Sequence, residues 1–209
     1  MMRTFTALLA LVLLLPACGG GNDTATEETA ATRETAATRK SAEQRAEKAA
    51  NELVGTLLGE VQRAMKEGGP AHAVLTCAEK AQPLTDEVAA ANALRLRRVS
   101  DKPRNPVDAP DDYERAVLRR FQDMADDGVL EATTLHSEVV TIDGREVLRY
   151  MKPITIKKPC LACHAPEEKL DAEVRAAIAE RYPEDQATGY VAGDLRGAIS
   201  VMVPLDEER

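Results

Sequence analysis

The sequence predicts an α+β domain in which helices come first and antiparallel strands follow. Three observations indicate this fold class. Apolar residues between Ala46 and Met65 recur at helical spacing, which marks one face of a long helix. The pair Asp143-Gly144 separates two strand-like runs, "SEVVTI" and "REVLRYMKPI", and is a strong signal for a hairpin turn. The run "GAISVMVPL" then predicts a strand close to the C-terminus.

The helical half divides at glycine and proline residues. A capping box at Ser41-Ala42-Glu43-Gln44 predicts the start of the first helix, and Gly68-Gly69 predicts its end. Pro70 can begin a second helix, because proline fits the first helical position, where the N–H has no partner. Pro83 is expected to interrupt that second helix.

The remaining elements follow from turn and strand signals. "ALRLRRVS" predicts a strand and "DKPRNPVDAPDD" a proline-rich loop. Asp111 or Asp112 can cap a third helix, which ends near Gly128. After the hairpin, "LDAEVRAAIAERYP" predicts a helix that ends before Pro183.

Residues 1–17 are typical of a lipoprotein signal peptide. Arg3 precedes a short apolar run from Leu8 to Leu15, which is too short to span a bilayer. The ending "LPAC" resembles the bacterial lipobox, in which the signal is cut before Cys18 and the Cys18 sulfur is acylated. A plain signal peptide cleaved nearby is the alternative. Both interpretations predict export, and the first predicts a lipid-anchored protein of the cell envelope that faces the periplasm or the exterior.

Residues 18–40 are predicted to form a disordered tether, at most partly helical, between the lipid and a domain at 41–209. The stretch repeats "ETAATR" in tandem and contains no aromatic or large aliphatic side chain. It therefore cannot bury enough apolar surface to offset the entropy that is lost on ordering. No other part of the sequence resembles a transmembrane segment.

The charge of the chain argues against nucleic acid as a partner. The formal net charge is −8 at pH 7, and it becomes more negative when Arg3 leaves with the signal peptide. A domain that binds nucleic acid needs a basic surface to neutralise phosphates. Acidity is instead expected to keep the domain soluble and to favour positively charged partners.

The segment "PCLACHAPEE" concentrates two cysteines and a histidine in five positions. Cys160-x-x-Cys163-His164 is the attachment motif for c-type haem. Two intervening residues let both sulfurs lie on one side of a tight turn, where each can form a thioether with a haem vinyl group. His164 can then ligate the iron. The motif predicts one covalent haem c, and export fits, because such haem is attached outside the cytoplasm.

Three other interpretations of this motif are open. Structural zinc usually has four ligands, and the sequence offers no second cysteine pair or paired histidines. A thioredoxin-type redox pair would follow a strand in a βαβ unit, whereas "KPITIKKP" precedes this motif. The third is an extracytoplasmic binding module without haem, in which Cys160 and Cys163 form a simple disulfide.

Cys77 lies on an apolar stripe of the second helix, together with Ala73, Val74 and Ala81. It is therefore expected to point inward, either as a small hydrophobic residue or as the sixth ligand of the iron, since thiolate ligands of haem exist. The other candidates for that position are two histidines and four methionines: His72, His136, Met65, Met124, Met151 and Met202. Of these, His72 is expected to face away from Cys77, and Met65 is expected to lie in the core.

Three arginines are candidates for binding the haem propionates: Arg98, Arg104 and Arg196. A guanidinium group can bind a carboxylate through two parallel hydrogen bonds. The alternative is that these arginines form ion pairs within the domain, with Asp111, Asp185 or Asp194.

Four separated motifs resemble one bacterial family: "TCAEKA", "LRRVSDKPRNPVDAPDDYE", "CLACHAPEE" and "YPEDQATGYVAGDLRGAISV". It is a family of exported single-haem c-type domains with a PAS-like fold, and related domains occur in the sensor portions of signalling proteins. The resemblance covers most of the chain from the first helix onwards. Asp108 and Ala165 stand where asparagine and glycine are usual in the family.

The resemblance implies a PAS-like antiparallel sheet flanked by helices, with an N-terminal helix and a c-type haem loop. It also implies that haem is fixed through Cys160 and Cys163. The implied axial ligands form an unusual pair, with His164 on one side of the iron and Cys77 on the other.

A tethered single haem suits sensing or electron transfer better than catalysis. A redox or gas sensor would release Cys77 on reduction and open the sixth position to a small diatomic gas. A small electron carrier would keep both axial ligands and exchange electrons with a redox partner protein. Peroxidase chemistry needs acid–base side chains in an open distal site, which the sequence does not plainly supply, so no enzyme activity is expected. Because no output domain follows Arg209, a sensor is expected to signal through a partner.

Overall fold

The computed structural model describes residues 23–205, so the predictions for the signal peptide and for Cys18 lie outside the described residues. The described residues divide into two compact units between Ala36 and Ala37, and the second unit contains the sheet. The described helices are α1 (Asp23–Ala91), α2 (Asp112–Asp126), α3 (Leu161–His164) and α4 (Ala172–Arg181). The described strands are β1 (Arg95–Val99), β2 (His136–Ile142), β3 (Arg145–Thr155) and β4 (Leu195–Pro204).

The strands form one antiparallel sheet with the order β1-β4-β3-β2. The hairpin between β2 and β3 is confirmed at the predicted turn, where Asp143 and Gly144 have φ angles of 52° and 77°. Positive φ at both central residues is typical of a type I′ turn, whose twist matches that of the two strands. The chain returns to the sheet last with β4, which pairs with both β1 and β3.

α1 covers one face of the sheet with small side chains. Ala42, Ala46 and Ala50 are buried there, and the short alanine side chain lets the helix approach the sheet closely. Leu53 and Val88 of the same helix belong to this core. The strand residues that face them are Leu96, Leu148, Tyr150, Ile199, Val201 and Val203.

α2 covers the opposite face. Its buried residues Val117, Leu118 and Phe121 pack against Val99, Met151 and Ala198. Alternate residues of β3 and β4 thus point to α1 and to α2, as the period of two along a strand requires. The sheet is therefore enclosed between two helices, which is the α+β arrangement that the sequence predicts.

The cap of α2 is confirmed at Asp111. Its side chain accepts a hydrogen bond from the Glu114 N–H at 2.7 Å, and the Glu114 side chain accepts one from the Asp111 N–H at 2.9 Å. This reciprocal pair is a capping box, which satisfies two backbone donors that have no partner inside the helix.

The predicted break at Gly68-Gly69 is confirmed, because Gly69 has φ 76° and ψ −171° within α1. The predicted interruption at Pro83 is wrong, since α1 continues to Ala91. Proline in a helix removes one backbone hydrogen bond and costs about 3 kcal/mol. The buried side chains of Ala81 and Val88, on either side of Pro83, give the segment packing energy that offsets this cost.

The predicted helix start at Ser41 is also wrong. The backbone is helical from Asp23, and Ser41 lies inside α1. The sequence predicted a tether that is at most partly helical up to residue 40, whereas the structure has helix at 23–40. Extending an existing helix costs little compared with nucleating one, and alanine, which recurs in this stretch, is the best helix former. The domain start at residue 41 stays a prediction.

The segment with the two-cysteine motif packs between the second part of α1 and α4. A 3-10 turn at Lys158–Cys160 leads directly into the single turn of α3. Behind it, Val74 of α1 packs against Leu170, Val174 and Ile178 in a small core of its own. No helix within residues 23–205 is both long and apolar enough to cross a membrane.

Candidate functional site

One short helical turn carries Cys160, Cys163 and His164. Pro159 lies in the 3-10 turn, and α3 follows without a gap, so the two thiols are separated by one turn of backbone. The Cys160 sulfur accepts a hydrogen bond from the Lys157 N–H at 3.4 Å, and the Cys163 sulfur lies 4.0 Å from the Pro70 carbonyl oxygen. Both cysteines are free thiols.

Cys77 of α1 acts electrostatically on the motif. Burial raises the pKa of Cys163, the charge of Arg104 lowers it, and the charges of Cys77 and Cys160 raise it further. Charge effects weaken with distance, so Cys77 of α1 lies within electrostatic range of Cys163. Burial also raises the pKa of Cys77, against the opposing charges of Arg98 and Arg104.

His164 is held in one tautomer. Its Nδ1 atom lies 2.7 Å from the carbonyl oxygen of Ala187. A carbonyl can only accept, so Nδ1 carries the proton and donates, and Nε2 keeps a free lone pair. Burial lowers the pKa of His164 to about 3, and the positive charges of Arg104 and Arg196 act in the same direction. The imidazole is therefore neutral at physiological pH, with Nε2 available as a ligand.

Arg104 ties the motif to the loop that orients His164. Its Nε donates to Asp185 Oδ1 at 3.0 Å, and its Nη2 donates to the Cys163 carbonyl oxygen at 2.7 Å. The same carboxylate oxygen of Asp185 accepts from the Ala187 N–H at 3.0 Å. Arg104 and Asp185 are largely buried, with 11% and 7% of their side chains exposed. Arg104 thus forms an ion pair within the domain and fixes the carbonyl that holds His164.

Arg98 is the arginine whose charge acts most strongly on Cys77. It pairs with Asp108 at 3.3 Å, and its Nε is buried without a hydrogen-bond partner. Burial raises the pKa of Asp108, and the charge of Arg98 is the largest opposing effect. The charge of Arg98 also lowers the pKa of Cys77 and of Tyr182, and its Nε remains a donor without an acceptor.

Arg196 has no carboxylate partner among the described residues. Its Nη1 donates to Ser100 Oγ at 2.7 Å and to the Lys102 carbonyl oxygen at 3.2 Å. Burial lowers its pKa. Of the three predicted arginines, two therefore pair inside the domain, with Asp108 and Asp185, and one does not.

The contacts of the remaining candidates lie elsewhere. His72 is exposed, 3.8 Å from Glu67, and His136 packs beside the ring of Tyr113 at 6.1 Å between ring centres. Met151 is fully buried in the core under α2, and Met124 packs against the same core. Within residues 23–205, no group of three or more histidine, cysteine and acidic side chains is arranged to hold a bare metal ion.

The orienting residues of His164 were not predicted as such. The sequence predicts Asp185 only as a partner of an arginine, and it gives no indication of the Ala187 carbonyl. A backbone carbonyl carries no sequence signal. The quoted motif "YPEDQATGY" contains both residues, but only the fold brings it to the histidine.

Comparison with known proteins identifies similar chains. A family model described as Tll0287-like matches residues 23–204. The solved structure described as "Crystal structure of the cyanobacterial heme-protein Tll0287" is 26% identical, with a TM-score of 0.52. The match covers 75% of this chain and 95% of that one. Comparison with curated proteins gave no significant match. The predicted PAS-like antiparallel sheet flanked by helices is confirmed.

Proposed function

The chain belongs to the Tll0287-like family, and on this basis we propose that it binds one haem, attached covalently through Cys160 and Cys163. One observation carries the proposal. The two thiols occupy a single helical turn that ends in His164, whose Nδ1 donates to Ala187 and leaves Nε2 free. The relation to a solved cyanobacterial haem protein supports the same conclusion.

The donor set fits a c-type haem. Cys160 and Cys163 are free thiols in the spacing that thioether attachment requires, and His164 supplies a neutral nitrogen ligand. When bound, haem supplies an iron centre that changes oxidation state and can take a diatomic gas where an axial position is open. The Ala187 carbonyl fixes the ring of His164, which is a common arrangement behind a metal-bound histidine.

We assign Cys77 as the second axial ligand. It is the described candidate whose charge acts on Cys163. It lies in α1, a different segment of the chain from the motif. Burial raises the pKa of Cys77, and the positive charges of Arg98 and Arg104 offset that effect only in part. Coordination to the haem iron would supply the remaining stabilisation of the thiolate. A thiolate is the form that binds a metal.

We assign Arg98 to a haem propionate and Arg104 to a different task. The unpaired buried Nε of Arg98 is a donor that needs an acceptor, because an unsatisfied buried polar group is costly. The Nε and Nη2 groups of Arg104 already donate to Asp185 and to the carbonyls of Cys163 and Ala187, which places its guanidinium group behind the motif. Arg104 is therefore a positioning residue for His164.

We further propose that the protein acts as a redox or gas sensor rather than as an electron carrier. Cys77 lies in the part of α1 that follows Gly69, where the helical backbone is broken. A break of this kind lets the second part of the helix shift without bending the first part. Export through the signal peptide and lipid anchoring at Cys18 are part of the proposal, because c-type haem is attached outside the cytoplasm.

Covalent attachment is tested by producing the protein with a c-type haem maturation system. Haem should stay with the denatured wild type and with Cys77→Ala, and it should be lost from the double variant Cys160→Ser/Cys163→Ser. Absence of haem from the wild type, with the two cysteines joined in a disulfide, would favour a binding module without haem.

Carbon monoxide distinguishes a sensor from a carrier. The reduced wild type should bind carbon monoxide readily, as judged by its absorption spectrum, because a sensor would release Cys77 from the iron on reduction. If the reduced wild type does not bind carbon monoxide and reduced Cys77→Ala does, the protein is an electron carrier.

A further inference from the structure

A cavity lies beside the candidate site, and Tyr190 and Arg196 are among the residues that line it. Its volume is about 290 Å³. It is lined by the end of β1 and the following loop, by α2, and by the start of β4. The lining residues used in the argument below are Ser100, Lys102, Leu118, Gln122, Tyr190 and Arg196. The lining does not include His164, Cys77, Cys160 or Cys163. Tyr190 is the link, because its ring also meets the ring of His164 edge-on at 6.1 Å.

Arg196 brings to this cavity a positive charge that has no ion pair within residues 23–205, and its guanidinium carbon lies 5.7 Å from the centre of the Tyr190 ring. Only its Nη1 has hydrogen-bond partners among the described residues, namely Ser100 Oγ and the Lys102 carbonyl oxygen. Nε and Nη2, which form the flat edge of the guanidinium group, have none within residues 23–205. A cation that is partly removed from water without a counter-charge is unfavourable. The cavity therefore favours an anion at that edge.

Ser100 and Lys102 hold the guanidinium group in place. Ser100 Oγ accepts from Arg196 Nη1 and donates to the Arg196 carbonyl oxygen at 2.8 Å. Lys102 adds a second positive charge: its Nζ lies 4.4 Å from the centre of the Tyr190 ring and donates to the Thr188 carbonyl oxygen at 2.7 Å. The orientation of Arg196 is thus fixed before any ligand arrives.

Two aspartates line the same cavity, but both are engaged. Asp194 Oδ2 accepts from the Val191 N–H at 2.8 Å. Asp101 pairs with Arg115 at 3.4 Å on the surface. Neither forms an ion pair with Arg196 within the described part of the chain, so the Nε–Nη2 edge of Arg196 has no carboxylate of the protein bound to it.

We propose that this cavity binds a free small carboxylate at the Nε–Nη2 edge of Arg196. A guanidinium group and a carboxylate match each other through two parallel hydrogen bonds. Leu118 and Tyr190 offer an apolar wall to a short carbon chain. A cavity of about 290 Å³ lies at the lower limit of small-molecule sites, so the ligand is an acid of a few carbon atoms. This inference does not depend on haem.

The test is a titration of the protein as purified with sodium acetate, propionate and butyrate, at constant ionic strength maintained with sodium chloride. Binding is measured by calorimetry and by the rise in melting temperature. The wild type should bind at least one of these acids. Arg196→Gln should bind roughly tenfold to a hundredfold more weakly, as expected for the loss of a charged hydrogen bond. Arg119→Gln removes an exposed arginine of α2 and should bind like the wild type.

A second variant keeps the test valid if Arg196→Gln does not fold. Gln122 lies at the exposed rim of the cavity, so Gln122→Glu should fold normally and weaken binding by repelling the carboxylate. Equal binding by Arg196→Gln and the wild type would overturn the proposal. So would a wild type that does not bind these acids while Arg196→Gln moves the Soret band, because Arg196 would then hold a haem propionate.

Discussion

His164 shows how several residues cooperate to prepare a single nitrogen atom. The Ala187 carbonyl sets the tautomer, Asp185 holds the Ala187 N–H, and Arg104 holds Asp185. The same guanidinium group donates to the Cys163 carbonyl, so the backbone of the motif and the support of its histidine share one side chain. This arrangement makes Arg104 important for stability as well as for the site.

Replacement of Arg104 by glutamine should destabilise the fold by about 3 kcal/mol, because it leaves the largely buried Asp185 without its partner. The free energy of unfolding in urea measures this. Arg115→Gln is the matched control, since Arg115 and Asp101 are both half-exposed and such a pair contributes at most about 1 kcal/mol. Equal effects of the two substitutions would show that Arg104 has only a surface role.

Replacement of Cys77 by alanine should convert the ferric haem spectrum from low-spin to high-spin and shift the Soret band, because it removes the sulfur that we propose as the second ligand of the iron. Absorption spectroscopy of the purified protein measures this. Val74→Ala is the control: Val74 is buried on the same helix and contributes packing but no sulfur. An unchanged spectrum in Cys77→Ala would exclude Cys77 as a ligand.

At the scale of elements, local signals predicted most boundaries that turns and caps define. The Asp143-Gly144 hairpin, the Asp111 cap and the break at Gly69 all depend on a few neighbouring residues. Pro83 shows the opposite case, because its effect on α1 depends on distant packing partners. The helix that starts at Asp23 was also missed, since composition alone reports neither helix nucleation nor continuation.

Replacement of Asp111 by alanine should destabilise the fold by about 1 to 2 kcal/mol through loss of the α2 cap. Burial raises the pKa of Asp111, but hydrogen bonds from the Glu114 N–H and from Arg149 outweigh it and hold the pKa below the ordinary 3.8. The charged form of Asp111 therefore stabilises the fold above that pH, and this contribution is lost as the pH falls further.

Asparagine separates the two effects at position 111. Asn is as good an N-cap as Asp, so Asp111→Asn should retain much of the stability at pH 7. Below pH 4, the stability of Asp111→Asn should fall less steeply than that of the wild type. Thermal melts across this pH range measure both variants. An identical pH dependence in wild type and Asp111→Asn would contradict the role of the carboxylate.

Replacement of Gly69 by alanine should destabilise the fold by about 1 to 2 kcal/mol, because a side chain at φ 76° is strained. Gly59→Ala is the control, since Gly59 is exposed within α1 and an added Cβ meets no atom within 4 Å. That substitution should stabilise the helix by about 0.5 to 1 kcal/mol. The free energy of unfolding in urea should fall in Gly69→Ala and rise in Gly59→Ala. A rise in both variants would contradict the break at Gly69.

At the scale of the molecule, the sheet and its two covering helices support a site built from segments that are far apart in sequence. Cys77 comes from α1, Arg104 from the loop after β1, the two-cysteine motif from the segment after β3, and Ala187 from the loop before β4. The motif itself was predictable because its residues are adjacent. The approach of Cys77 to Cys163 was implied only by a family resemblance, because spacing alone left Cys77 as a core residue or a ligand.

The tertiary fold also explains what the sequence left open for the arginines. Arg98 and Arg104 find Asp108 and Asp185, which the chain brings to them from loops. Arg196 finds a hydroxyl and a carbonyl instead. Three arginines that look alike in sequence therefore have three different sets of partners, and only the fold distinguishes them.

The most direct test of this account is the mass of the mature protein after digestion. The peptide that contains Cys160 and Cys163 should carry the mass of one haem, and the peptide that contains Cys77 should carry a free thiol. A mature protein without that added mass, or with haem attached at Cys77 instead, would contradict the account.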